Sequence, residues 1–220
     1  MTKHLDHDLQ QLHRDILSLS ALVEEMIVNA GRSLCEGRLD LAEKVVRDDR
    51  HVDQQEVTIE EACLKVLALH HPVASDLRHL TTLIKVNHDL ERIADLAVNV
   101  AQRAIGVADE PQFSIPTEIV PMVEKVTAMV RNALDAFVNR DTIGAKQVIL
   151  DDDEVDRFNV QLIVGLRQVM QRDSQLVEAA LHCFSAIRHL ERIADLATNI
   201  AEDAIYLVEG EIVRHRALGI

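Results

Sequence analysis

Residues 88–105 read HDLERIADLAVNVAQRAI, and residues 188–205 read RHLERIADLATNIAEDAI. Twelve of these eighteen positions are identical at an offset of 100 residues. Ala94, Ala97, Ala101 and Ala104 recur at steps of three and four, the spacing of one helical face, and Ala194, Ala197, Ala201 and Ala204 repeat them. Glu91 and Asp95, with their mates Glu191 and Asp195, stand four apart, so each pair shares a face of its helix. Asn99 and Asn199 extend that face by one turn. The stretch reads as one helix present twice, with a seam of small residues and an acidic flank.

A second, weaker match lies upstream. Ala42, Val45, Asp48, Asp49, Val52 and Asp53 reappear as Ala145, Val148, Asp151, Asp152, Val155 and Asp156, at an offset of 103. The three-residue difference falls in the hairpins between the two blocks, so a duplicated three-helix unit explains both offsets. The remaining helices follow from their own patterns. Leu5, Leu9, Leu12, Ile16, Leu19, Val23, Met26 and Ala30 form a heptad stripe. Gly37 breaks it, Asp40 is the expected N-cap of the second helix, and His71-Pro72 ends that helix. The third helix is expected from Ser75 to Ile105, with Gly106 near its end. Gly106, Pro111 and Pro116 mark residues 106–117 as a linker. Three further helices are expected at about 117–139, 142–171 and 174–209, with Asp141 and Ser174 as N-caps and Gly210 as a stop. The expected architecture is all-α: two tandem three-helix bundles of repeated sequence, at 1–108 and 118–220, joined by 109–117.

Composition agrees. The chain of 220 residues holds 37 acids against 23 Lys plus Arg, a formal charge of −14, and 48% apolar residues. Its five aromatics are Phe113, Phe137, Phe158, Phe184 and Tyr206. Gly and Pro together number 11, far below the share of a collagen-like or low-complexity chain. Few aromatics and a strong negative charge exclude a base-stacking nucleic-acid binder. The scarcity of turn residues excludes a β-sandwich or barrel. Cys35, Cys63 and Cys183 are odd in number and lack CxxC spacing, which argues against a disulfide framework or zinc ribbon. The first residues carry no signal-type apolar run, and no 18-residue apolar stretch exists. A cytoplasmic protein is expected, with cations and basic protein surfaces as partners.

The acids locate the candidate chemistry. Asp49 and Asp53 lie on the second helix, Asp152 and Asp156 on the fifth. Each pair is as far from its hairpin turn, near Pro72 or Asp173-Ser174, as the Glu-x-x-x-Asp pair on the following helix. Antiparallel packing then sets Asp49 and Asp53 opposite Glu91 and Asp95, and Asp152 and Asp156 opposite Glu191 and Asp195. Glu56, Asn99 and Asn199 are additional candidate ligands. Such hard oxygen donors suit magnesium, calcium, manganese or iron over copper or a structural zinc. An isolated acidic pair is ordinarily a solvated helix face; recurrence in both halves singles these out. Arg92 and Arg192 offer a competing, metal-free pairing. His51, His88, His182 and His189 are secondary candidates, and His88 has Arg188 as its repeat mate. The three cysteines fall on apolar stripes and read as core.

These motifs resemble the PhoU family of phosphate-transport accessory proteins. The likeness rests on Ala74-Ser-Asp-Leu-Arg78, the Glu-Arg-Ile-Ala-Asp blocks at 91–95 and 191–195, and Asp49 to Glu56 with its mate at Asp152 to Asp156. Many members carry Gly where this chain has Ala94 and Ala194. Asp76-Leu-Arg78 has no counterpart at 176–178, where Leu, Val and Glu stand. The resemblance implies two similar bundles side by side, metal ions (iron, zinc, manganese or magnesium) on the acidic motifs, and a homodimer. It further implies a non-enzymatic role: negative regulation of the phosphate-starvation response, coupling a sensor histidine kinase to the ATPase subunit of an ABC phosphate transporter and modulating uptake. Two other classes remain on sequence grounds. A carboxylate-bridged di-iron enzyme would use Glu-x-x-His motifs, whereas this chain has His88-x-x-Glu91 in reversed order. A purely structural scaffold explains the heptads but not the acids in register.

Overall fold

The structure is a computed structural model that describes residues 3–211. Residues 1–2 and 212–220, which the expected bundle boundaries include, lie outside the described residues. Six helices form: α1 (Lys3–Glu36), α2 (Leu39–His70), α3 (Ala74–Ala108), α4 (Ile119–Asn139), α5 (Thr142–Arg172) and α6 (Val177–Glu209). The described residues contain no strand. The all-α duplicated architecture expected from the repeat is the one observed.

The helix ends show which local signals act. Gly37 takes φ +67° and turns the chain between α1 and α2, a conformation that glycine adopts without a Cβ penalty. Asp40 does not cap α2. Its carboxylate is taken by Arg38, with Nε and Nη2 at 2.8 and 2.7 Å, and the N-cap position belongs to Arg38 without a side-chain bond. Asp141 is the N-cap of α5, accepting from the backbone N–H of Ile143 and Gly144 at 3.0 and 3.1 Å. Ser174 is displaced from its expected role by Asp173, whose extended backbone lets its carboxylate accept from Gln175 N–H at 2.9 Å. A single 3₁₀ turn, Ser174–Leu176, therefore precedes α6. Gly210, at φ +75°, ends α6 and returns its N–H to Tyr206.

Gly106 does not stop α3. The helix runs through it to Ala108, because the missing side chain is a packing requirement. A Cβ there would lie 2.6 Å from His182 Nε2 on α6. The segment that follows is anchored too: Phe113 is buried, and Ile115 packs on the same core.

The two halves share one hydrophobic core. Within each half the three helices pack on one another, and α3 packs on α6 while α1 packs on α4. Both cross-contacts are antiparallel. Lys85 meets Asp203 and Gly106 meets His182 along α3/α6, while Glu24 meets Arg131 and Gly31 meets Val123 along α1/α4. This is an approximate two-fold relation, with α2 and α5 at the outer edges touching only their own halves. All eight seam alanines are buried. Replacing Ala97 by Leu adds volume where none is free, which costs about 1–3 kcal/mol. Urea unfolding of Ala97→Leu is expected to show a lower midpoint with an unchanged slope.

Candidate metal centre

Helix α2 turns Asp49, Asp53 and Glu56 toward α3, and α3 turns Glu91 and Asp95 back. The hairpin register therefore brings the expected residues together. Their mutual fields show it: the Asp49 carboxyl is pushed above its ordinary range by burial, then by Asp53 and Asp95. Glu91 is raised by burial and by Asp95, with smaller contributions from Glu56 and Asp53 and an opposing one from His88. Glu56 is raised by burial first and also feels Asp53. Asp49, Glu56 and Glu91 are half-buried, whereas Asp53 and Asp95 are exposed.

The second hairpin repeats the arrangement. Asp152 is half-buried and pushed from the ordinary 3.8 up to about 7, by burial first and then by Asp195, Asp156 and Glu191. Asp195 is raised by burial and Asp156, and lowered by Arg188 and Arg192. The two clusters differ at one position. Arg188 donates from Nη1 to Glu191 Oε1 at 2.8 Å, where the first cluster has His88, exposed and 3.9 Å from Glu91. A fixed guanidinium thus neutralises part of the second cluster. Arg92 does not pair with the candidate ligands. It lies 3.8 Å from Asp89.

Sequence reasoning treated the clusters as separate, and the structure brings one acid of each, Asp95 and Asp195, to a shared cleft. Asp95, Asn99 and Asp195 line a single open cleft of about 430 Å³, with Arg92 and Arg192 beside them. It lies where α3 and α6 cross, on the approximate two-fold. Asn199 is half-buried but does not line this cleft. His189 is engaged elsewhere, 3.3 Å from Ser185 Oγ, and His182 packs on Gly106. The offset-100 repeat held the signal for this cleft, since an antiparallel pair of copies must bring like residues together at its crossing.

Do these residues suit a cation? Asp49 Oδ1 and Glu191 Oε2 are buried and accept no hydrogen bond among the described residues. A buried carboxylate oxygen without a donor is costly, and a hard cation satisfies it directly. Among the described residues no three His, Cys, Asp or Glu side chains stand in closed coordinating geometry.

Comparison with known proteins matches this architecture to a family. The PhoU domain model matches residues 16–104 and again 119–204, once in each half. The chain belongs to the PhoU family. It is 40% identical over 209 residues to the "Phosphate-specific transport system accessory protein PhoU homolog" of Aquifex aeolicus, covering 95% of each chain. The crystal structure of PhoU from Pseudomonas aeruginosa superposes with a TM-score of 0.88 at 36% identity, over 94% of this chain and 99% of that one. The phosphate transport system regulatory protein PhoU from Streptococcus pneumoniae gives a TM-score of 0.89 at 27% identity, over 95% and 99%. As a PhoU-family chain the protein has two copies of the domain and, among the described residues, no helix long and apolar enough to cross a membrane.

Burial, reinforced by electrostatic crowding, makes the metal-free protein pH-sensitive. Asp152 holds its proton more tightly folded than unfolded, so its contribution favours the folded state at low pH and is lost as pH rises from about 3.8 through about 7. Thermal melts of chelator-treated protein should show stability falling across that window, and Asp152→Asn should flatten the decline.

Proposed function

We propose that this protein is a cation-binding regulatory adaptor of phosphate transport. The observation that carries the reading is family membership across both halves, with relatives named as accessory proteins of a phosphate-specific transport system. On this reading the protein restrains the phosphate-starvation response while phosphate is plentiful. It does so by contacting a sensor histidine kinase and the ATPase subunit of an ABC phosphate transporter on the cytoplasmic side, and it works as a homodimer without catalysing a reaction.

The chemistry of the surface supports such a role. The acidic clusters open to solvent on the hairpins of both halves, which suits stored positive charge better than an enclosed reaction chamber. Bound divalent or trivalent ions (iron, manganese, magnesium or zinc) would supply charge that lets Asp49, Glu91, Asp152 and Glu191 stay ionised side by side. The protein's own part is to hold these oxygens in two symmetric sets across α2/α3 and α5/α6. Cross-linking each hairpin through a cation stiffens the outer helices α2 and α5, the faces left free by the joint between halves.

Two experiments test this. Deleting the gene should switch on phosphate-starvation genes in phosphate-rich medium; unchanged expression removes the adaptor reading. Metal analysis of untagged protein should find ions that Glu91→Gln with Glu191→Gln loses. Manganese at a hundred times its dissociation constant should stabilise the wild type by about 2.7 kcal/mol and leave the double variant's melting temperature in place.

A further inference from the structure

Asp76-Leu-Arg78, which contributed to the family likeness but not to the metal centre, opens onto a different site. A cavity of about 670 Å³ lies at the pole where α1 and α3 begin and α4 and α6 end. Its lining includes Arg14, Arg78 and Arg140, against two acids, Asp6 and Asp76. In a chain with 37 acids and 23 Lys plus Arg, this is a local reversal of charge. The floor is apolar, with Leu9, Val138, Leu207 and Val208.

His13, His79 and Arg78 are set in place, while Arg14 and Arg140 are exposed. His13 and His79 meet Nε2 to Nε2 at 2.6 Å, with rings edge to face. His79 is buried, at 6% exposure, and His13 stacks on Phe137. Burial lowers both imidazoles, with His13 and then Arg140 adding to it at His79, which falls to about 4, and Arg140 adding to it at His13, so the cavity's positive charge is that of the guanidiniums. Arg78 is held over the Tyr206 ring at 5.9 Å and against Gly210, where a Cβ would crowd Nη1. Its Nε is buried with no hydrogen-bond partner among the described residues. Arg140 occupies a left-handed position, φ +55°, at the end of α4. The first turn of α3 completes the wall with Ser75 and Asp76.

We infer that this cavity binds a phosphoryl oxyanion, held between Arg78 and Arg140. Guanidinium groups recognise such anions through two parallel N–H bonds, and the three arginines outnumber the two carboxylates that line the cavity. The volume is that of a small-molecule pocket and leaves room over the apolar floor for an organic body. The oxyanion therefore has two sources, free inorganic phosphate or a phosphomonoester such as adenosine monophosphate. The site occurs at one pole only. The repeat mates of Arg78 and His79 are Glu178 and Ala179.

The assignment is independent of kinase, transporter and bound cations, so its test uses purified chelator-treated protein. Isothermal titration with inorganic phosphate and, separately, adenosine monophosphate should give saturable binding at one site per chain. Arg78→Met and Arg140→Asn, the latter chosen because Asn accepts a left-handed backbone, should each weaken it about tenfold or more. Arg172→Gln, exposed at the end of α5, should leave it unchanged. Tighter binding of the monophosphate identifies the organic source, and equal or tighter binding of phosphate identifies the free ion. No saturable binding of either, or binding that survives Arg140→Asn in protein with wild-type circular dichroism, overturns the assignment. Should Arg78→Met fail to fold, Arg140→Asn decides alone.

Discussion

Everything in this molecule depends on how closely α3 and α6 approach. Eight alanines on these two helices, all buried, stand in place of larger side chains in the shared core and let the surrounding helices draw close. Packing at this spacing is intolerant of added volume. The joint sets the register in which Lys85 reaches Asp203 and His182 covers Gly106. It also carries the acidic flanks of both helices into a common cleft. The seam and the site are therefore two faces of the same eighteen residues.

Charge is arranged against this packing. The core favours compactness, while the clusters on each hairpin repel within themselves, and burial raises the proton affinity of Asp49, Glu91, Asp152 and Glu191. A fold that concentrates carboxylates at half-buried positions is most stable when something positive arrives. At the second hairpin Arg188 supplies part of that charge internally; at the first, an exposed His88 stands in its place, 3.9 Å from Glu91. The two copies have thus diverged in how much of their acidic charge is paired within the chain.

Most of the fold was legible because heptad and alanine periodicity act locally and the repeat doubled the signal. The cross-hairpin pairing of acids was legible for the same reason: distance from a turn is a property of the sequence. Errors arose where a residue had two possible partners. Asp40 looked like a cap, but Arg38 sits two residues away and takes its carboxylate. Gly106 stands near the end of α3, as expected, but the need for glycine there is set by His182, 76 residues further along the chain. The basic cavity was invisible because its arginines come from three different helix ends, and nothing in the spacing of Arg14, Arg78 and Arg140 foretells that they meet. Only the folded arrangement puts them in one place.

The buried Phe113 and the two antiparallel joints bear on the history of the chain. An interface in which each half presents the same helix pair to the other is self-complementary, as in a two-fold dimer. A single three-helix ancestor could have assembled in this way before its gene was duplicated, with the faces around Gly31 and Gly106 already serving as a subunit contact. Fusion then needed only a short tether, and Phe113 secured that tether to the core. Once both copies were encoded together, mutations no longer had to suit both sides at once. His88 and Arg188, or Arg78 and Glu178, are differences that a symmetric dimer of identical chains does not permit.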